Sequence, residues 1–180
     1  ELFSFSSFDY QNGSRAATRH LIETGARRIA FAGGLAERPI TQERLSGYLE
    51  VMLEAGLRPF TIHGRQTRAF GHETALALTR DHPQIEAALC YNDLVALGML
   101  AGFARAGRAV GRNFRLVGFD DIDMASGVTP ALTTVRVPAA DMGRRAAARM
   151  LARLSGNEVA HVEELRADVI VRASTGPAPR

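Results

Sequence analysis

The sequence predicts an α/β fold, a parallel sheet with helices on both faces. Three observations support this. Short apolar runs alternate with longer amphipathic segments along the chain. The apolar runs are continuous rather than alternating, as in strands buried on both faces. The helix-to-strand connections are short and glycine-marked, whereas those leaving the strands are longer and polar.

The elements follow in order. Residues 14–24 carry Ala17, Leu21 and Ile22 at helical spacing, and Gly25 ends that helix. Arg28–Ala32 reads as a buried strand closed by Gly33-Gly34. Thr41–Ala55 places Leu45, Tyr48, Leu49, Met52 and Leu53 at helical spacing, stopped by Gly56. Pro59–His63 is a second strand and His72–Asp81 a helix, ended by His82-Pro83. Ala87–Tyr91 is a third strand, Leu94–Ala106 a helix and Arg115–Phe119 a fourth strand. A short irregular segment leads to an extended Leu132–Val137. Asp141–Leu154 is a helix with Met142, Ala146, Met150 and Leu154 inward, capped by Ser155-Gly156. Leu165–Arg172 is a final strand, and Ser174–Arg180 reads as a disordered tail.

Composition excludes several classes. The chain has 180 residues, 46% hydrophobic and 23% charged, which suits a globular domain with its own core. Net charge is only +3 and no run of five basic residues occurs, so the basic pI reflects abundant arginine rather than a nucleic-acid footprint. Cys90, the single cysteine, lies in an apolar run and reads as a small core residue. No eighteen-residue apolar stretch or signal peptide is present, so the expected compartment is the cytoplasm, without membrane association. GxSxG, GxGxxG, P-loop, HExxH and CxxC patterns are absent, and the acids at 120, 121 and 123 lack the glycine and distal glutamate of a calcium loop. Neither metal nor cofactor is expected, nor an enzyme.

The residues just past the strands carry the chemistry. They are Glu37, Arg38, Thr41 and Arg44; His63, Arg65, Gln66 and Arg68; Asn92 and Asp93; and Asp120, Asp121 and Asp123. In a doubly wound sheet these loops meet on one rim, outside the carboxyl ends of the strands. Guanidinium donors, an amide and carboxylate acceptors together suit a polyhydroxylated ligand, a nucleobase or a carboxylate. Taken singly, Arg44 also reads as a surface arginine, and Asn92, Asp93, Asp120 and Asp121 as helix or turn caps.

Six segments, in order, resemble the effector-binding core of LacI-family transcription regulators: 20–34 (HLIETGARRIAFAGG), 44–48 (RLSGY), 89–100 (LCYNDLVALGML), 115–123 (RLVGFDDID), 129–151 (TPALTTVRVPAADMGRRAAARML) and 169–175 (VIVRAST). Ala26 and Arg112-Asn113 depart from the pattern. The resemblance implies a periplasmic-binding-protein-like (type I) fold of two lobes, here mostly the C-terminal lobe plus part of the N-terminal lobe. Residues 1–12 would end the N-terminal lobe, 13–128 form the C-terminal lobe, 129–138 a crossover, 139–164 a helix region of the N-terminal lobe, and 165–180 the final strand and tail. The chain would be a truncated regulator, a homodimer touching operator DNA only through a missing N-terminal helix-turn-helix. Its effector would be a sugar, sugar acid or nucleobase. By the same resemblance Arg44 grips that effector, Asn92 is the polar residue at a strand end and Asp120 accepts its hydroxyl or ring donors. Asp9 is a fourth contact from a crossover, and Gln66 and Phe70 occupy the region of a stacking aromatic. Arg65 and Arg68 would suit an anionic effector. A periplasmic-type sugar-binding protein of the same fold is the alternative.

Overall fold

Alternate residues of the central strands divide between two apolar layers. In β2 (Ile29–Ala32), Ile29 and Phe31 join one cluster while Ala30 and Ala32 join the other. β4 (Ala87–Cys90) repeats this, with Ala87 and Leu89 against Ala88 and Cys90. This period of two, with both faces buried, is why the strands read as unbroken apolar runs. The structure is a computed structural model that describes residues 5–157, 162–165 and 167–176.

The main sheet has six strands in the order β3-β2-β4-β5-β6-β8, formed by β3 (Phe60–Ile62), β2, β4, β5 (Arg115–Asp120), β6 (Thr133–Arg136) and β8 (Asp168–Ile170). All pairings are parallel except β6 with β8, which is antiparallel. Helices α1 (Tyr10–Glu23) and α2 (Pro39–Glu54) cover one face, packing Leu21, Tyr48 and Met52 on Phe31 and Val117. Helices α3 (Arg68–Asp81) and α4 (Asp93–Arg105) cover the other, with Leu78, Met99 and Phe103 on Ala88 and Leu116. The α3–α4 pair is close because Gly71 and Gly98 face the partner backbone, where a Cβ would lie 2.1 Å from Val95 O and 2.0 Å from Arg68 O. A second, two-stranded parallel sheet joins β1 (Phe5–Phe8) to β7 (Val162–Leu165), and α6 (Ala139–Leu154) touches β1.

Several expectations need correction. The first helix starts at Tyr10, because Asp9 Oδ1 accepts from Asn12 N at 2.8 Å and caps it. α2 starts at Pro39, which suits a first helical position, and α3 at Arg68, where Thr67 Oγ1 caps Phe70 N at 3.2 Å. The irregular segment after Asp121 contains a short helix, α5 (Asp123–Gly127). The expected strand over 165–172 is shorter: β8 covers Asp168–Ile170, antiparallel to β6, while Leu165 ends β7, which runs parallel to β1 in the other sheet. One continuous strand cannot serve both sheets, so the chain breaks between them. The tail is not loose at its start. Ser174 and Thr175 are buried in a 3₁₀ turn (Ala173–Thr175), where Ser174 Oγ donates to Leu116 O at 2.6 Å and accepts from Thr133 N at 2.8 Å. Residues 177–180 of that tail lie outside the described residues. The face of α6 expected inward is open: Ala146, Met150 and Leu154 are exposed, and only Met142 is half-buried, against the α1–α2 cluster.

Candidate effector site at the strand ends

The carboxyl end of β5 carries two adjacent carboxylates in unusual backbone. Asp120 has φ 111° and Asp121 φ 57°, the only non-glycine residues in the left-handed half among the described residues. Two successive such residues persist only where surrounding contacts hold them. Here the side chains are tied to different partners. Asp120 Oδ1 accepts from Arg44 Nη2 at 3.0 Å. Asp121 is clamped from two segments, by Arg136 Nε of β6 at 2.7 Å and by Arg172 Nη2, after β8, at 2.7 Å. Burial works against charge on Asp121, yet the hydrogen bonds from Arg172 and Arg136 hold its carboxyl below the ordinary range. Burial dominates at Asp120 and pushes its carboxyl up, against the pull of Arg44.

Arg44 projects from α2 and is only 5% exposed. Its guanidinium carbon lies 3.9 Å from the Phe119 ring centroid, 4.6 Å from Tyr91 and 4.9 Å from Tyr10. Nη1 donates to the Tyr91 carbonyl. A planar, weakly hydrated cation suits this aromatic cage in a way an ammonium would not. Its one carboxylate partner is Asp120, whose side chain is 34% exposed. The buried cation thus holds a carboxylate that still faces outward.

The end of β4 supplies the next groups. Asn92 Oδ1 caps α4 by accepting from Val95 N at 3.0 Å. Asp93 is fully buried, its Oδ1 accepting from Thr134 Oγ1 at 2.6 Å and its Oδ2 from Ile122 N at 2.9 Å. Burial pushes its carboxyl up to about 6 despite those two donors, with the nearby charges of Asp120 and Asp121 adding to the rise. Gly118 makes room for it, since a Cβ there would meet Asp93 Oδ1 at 2.0 Å. Asp93 therefore straps α4 to β6 and to the turn that follows Asp121.

Asp120 lines a cavity of about 690 Å³ with Asp121, Asp123, Arg136 and Arg144. Tyr91, whose carbonyl accepts from Arg44, lines another cleft, of about 620 Å³, within the range of small-molecule sites. Its walls come from the β2–α2 and β3–α3 loops, with Leu35, Ile40 and Tyr91 as apolar surface and Arg38, Arg65 and Gln66 as polar groups. The two loops are joined by Gly64 N donating to Gly34 O at 3.2 Å. Gly34 has φ 77°, and a Cβ on it would sit 2.6 Å from Tyr91 Cδ2, so glycine keeps Tyr91 in place.

The expected site residues are distributed unevenly. Arg44 and Asp120 are in direct contact, and Tyr91, which precedes Asn92, both bonds Arg44 and lines the cleft with Gln66. Asp9 caps α1; it is its neighbour Tyr10 that reaches Arg44. Phe70 lies elsewhere, packed over Gly64 and lining a separate cavity of about 300 Å³ with Phe60, Ile62 and His82. Arg65 lines the cleft, whereas Arg68 opens α3 with its carbonyl against Gly98. Tyr10, Tyr91 and the strap role of Asp93 were not foreseen. An aromatic at a strand end was the available signal for Tyr91; none in the sequence pointed to Tyr10. Cys90 is buried with Sγ 3.4 Å from Met99 Sδ, and burial raises its thiol well above the ordinary value. Among the described residues no group of three or more His, Cys, Asp or Glu could hold a metal ion, and no helix is long and apolar enough to cross a membrane.

Known proteins match this architecture. A family model described as a periplasmic binding protein-like domain matches residues 18–175. The transcriptional regulator CelR of Thermobifida fusca is 33% identical over 97% of this chain and 52% of its own length. The chain spans about half the length of the curated relatives it matches. A LacI-family regulatory protein from Chloroflexus aggregans superposes with a TM-score of 0.90 at 32% identity, covering 97% of this chain and 64% of that one. A CelR–cellobiose complex superposes at 0.87 with 32% identity, covering 97% of this chain and 54% of that one.

Proposed function

The chain belongs to the periplasmic binding protein-like domain family, in its LacI-family branch of transcription regulators, and we propose that it is the effector-sensing part of such a regulator. Its curated relatives are regulators of transcription, not enzymes. The observation that carries the proposal is the Arg44–Asp120 pair, a half-exposed carboxylate backed by a caged guanidinium at the end of β5. Such a carboxylate is pre-aimed and accepts hydroxyl donors without reorganising, which lowers the cost of binding. The effector is a small sugar-like polar metabolite, with sugar acids and nucleobases as the neighbouring chemistries. Asp120 accepts its donors, Asn92 offers its amide, and Tyr91 and Gln66 wall the cleft that Arg44 links to Asp120. A relative of 32% identity solved with cellobiose supports the sugar reading.

In this proposal a ligand bridging the strand ends biases the segments that Asp121 clamps, the 129–138 crossover and the chain after β8. The bias changes a homodimer whose operator-binding helix-turn-helix lies outside this chain, in the cytoplasm. Coupling of this kind is typically about 1–3 kcal/mol. The test is calorimetric titration of a panel of monosaccharides, disaccharides and nucleosides into this chain, alone and within its complete gene product. Binding that is lost in Asp120→Asn while the melting temperature holds supports the site. Binding that survives Asp120→Asn unchanged overturns it.

A further inference from the structure

The cleft lined by Tyr91, which is linked to Asp120 through Arg44, has a one-signed rim. Arg38 and Arg65 line it from two different loops, and no carboxylate does. Both guanidiniums are exposed, and among the described residues neither has an acid or carbonyl partner. Arg15, Arg28, Arg44, Arg136 and Arg172, by contrast, each hold an acid. The rest of the wall is apolar or neutral: Leu35, Ile40, Tyr91 and Gln66.

Two helices begin at the same place. α2 follows Arg38, which provides no side-chain cap, and α3 follows Thr67, which also lines the cleft. Their positive ends add to the arginines' field, although the arginine pair is what defines the chemistry. An apolar wall matches the C–H face of a sugar ring, the amide of Gln66 matches its hydroxyls, and paired guanidiniums match a carboxylate or phosphate.

We infer that the ligand is a polyhydroxylated anion, with hydroxyls toward Asp120 and its acidic group held by Arg38 and Arg65. This rests on the effector-site reading above and narrows it to one class. It also assigns a role to Arg38, with Arg65 rather than Arg68 as its partner, since Arg68 does not line the cleft. The anion is placed away from Asp120, because two adjacent anions would repel.

Matched probes test the inference: glucose, glucuronate and glucose 6-phosphate, then galactose and galacturonate, titrated at low and at physiological salt. Arg38→Gln, Arg65→Gln and the double variant serve with the wild type. Both sites are exposed and unpaired, so unchanged melting temperatures are expected. The expected result is an anion bound about tenfold or more tightly than its neutral partner, a preference that shrinks with salt and disappears in the double variant. Whether glucuronate or glucose 6-phosphate wins identifies the acidic group. Three results overturn the inference: a neutral sugar bound as tightly as its acid, an anion preference that survives the double variant, or no anion bound at all. A neutral sugar bound in an Asp120-dependent manner sinks only the anion assignment and leaves the site standing. Anion binding that needs the arginines but not Asp120 keeps this assignment and sinks the Asp120 reading.

Discussion

Arg44 Nη2 donates to Asp120 Oδ1 at 3.0 Å across 76 residues of sequence, with the guanidinium 6% and the carboxylate 34% exposed. The asymmetry separates two roles. Arg44 is built into the core between Tyr10, Tyr91 and Phe119, while Asp120 presents the accessible end of the pair.

Arg44→Ala is therefore expected to lower stability by roughly 2–4 kcal/mol, since it leaves Asp120 and the Tyr91 carbonyl without their donor and empties an aromatic cage. Arg44→Lys should recover little, because one ammonium cannot serve both acceptors and three rings. Asp120→Asn should cost under about 1.5 kcal/mol and is the cleaner probe of ligand binding. Urea unfolding of the three variants checks the order; equal costs for Arg44→Ala and Asp120→Asn would refute it.

The Asp121 clamp should be unequal. Arg172 is 17% exposed at its side chain and also donates to Leu132 O at 2.7 Å, whereas Arg136 is 50% exposed. Arg172→Gln is expected to cost about 2–3 kcal/mol and Arg136→Gln under about 1 kcal/mol. Because the folded state depresses the Asp121 carboxyl, its contribution is present above the ordinary carboxylate range and lost as pH falls through the lowered value. A double-mutant cycle with Asp121→Asn measures each arm. A larger coupling to Arg136 would reverse the assignment.

Asp93 carries the opposite sign. Its carboxyl rises from 3.8 to about 6, so the stability from its protonated form is full below 3.8 and lost as pH climbs through about 6. His20, whose ring burial lowers, loses stability as pH falls, so the raw profile mixes two opposed effects. The difference between wild type and Asp93→Asn isolates the aspartate. Relative to the variant, the wild type should lose on the order of 2–3 kcal/mol between pH 4 and pH 8. Parallel pH profiles for the two proteins would show that Asp93 titrates normally.

The α3–α4 contact predicts another contrast. Gly98→Ala drives a methyl onto the Arg68 carbonyl and should cost at least about 2 kcal/mol, because backbone must move. Gly56, with φ 66° and nothing within 4 Å of its would-be Cβ, should lose only about 1 kcal/mol as alanine. Comparable losses in thermal melts would mean the helices separate at little cost.

Met150, Leu151 and Leu154 on α6 are 67%, 65% and 77% exposed. Such a face favours self-association of this chain at high concentration. Light scattering should show mass rising with concentration, and Met150→Lys with Leu154→Lys should abolish the rise. A constant monomer mass for the wild type would dismiss it.

Much of the fold was legible because strand burial and the glycines that end helices are local. The apolar runs at 29–32, 87–90 and 116–119 needed only their own residues to read as strands buried on both faces. The assignment of Leu165 to β7 and of Asp168–Ile170 to β8 was not legible, since local pattern does not say which sheet a strand joins. Asp9 and Phe70 show the same limit at the site. Each lies near the right loop in sequence, but one caps α1 and the other fills the space over Gly64.

By itself, then, the sequence determined the alternation of strands and helices, the glycines that end the helices, and the gathering of Arg44, Asn92 and Asp120 near strand ends. The tertiary structure alone decided which charges touch. Asp120 goes to Arg44 and its neighbour Asp121 goes to Arg136 and Arg172, a choice set by two consecutive positive φ angles that splay adjacent side chains apart. Periodicity records which face a residue occupies; only the folded chain sets the distance between residues 76 positions apart, and Coulomb and hydrogen-bond energies depend on that distance.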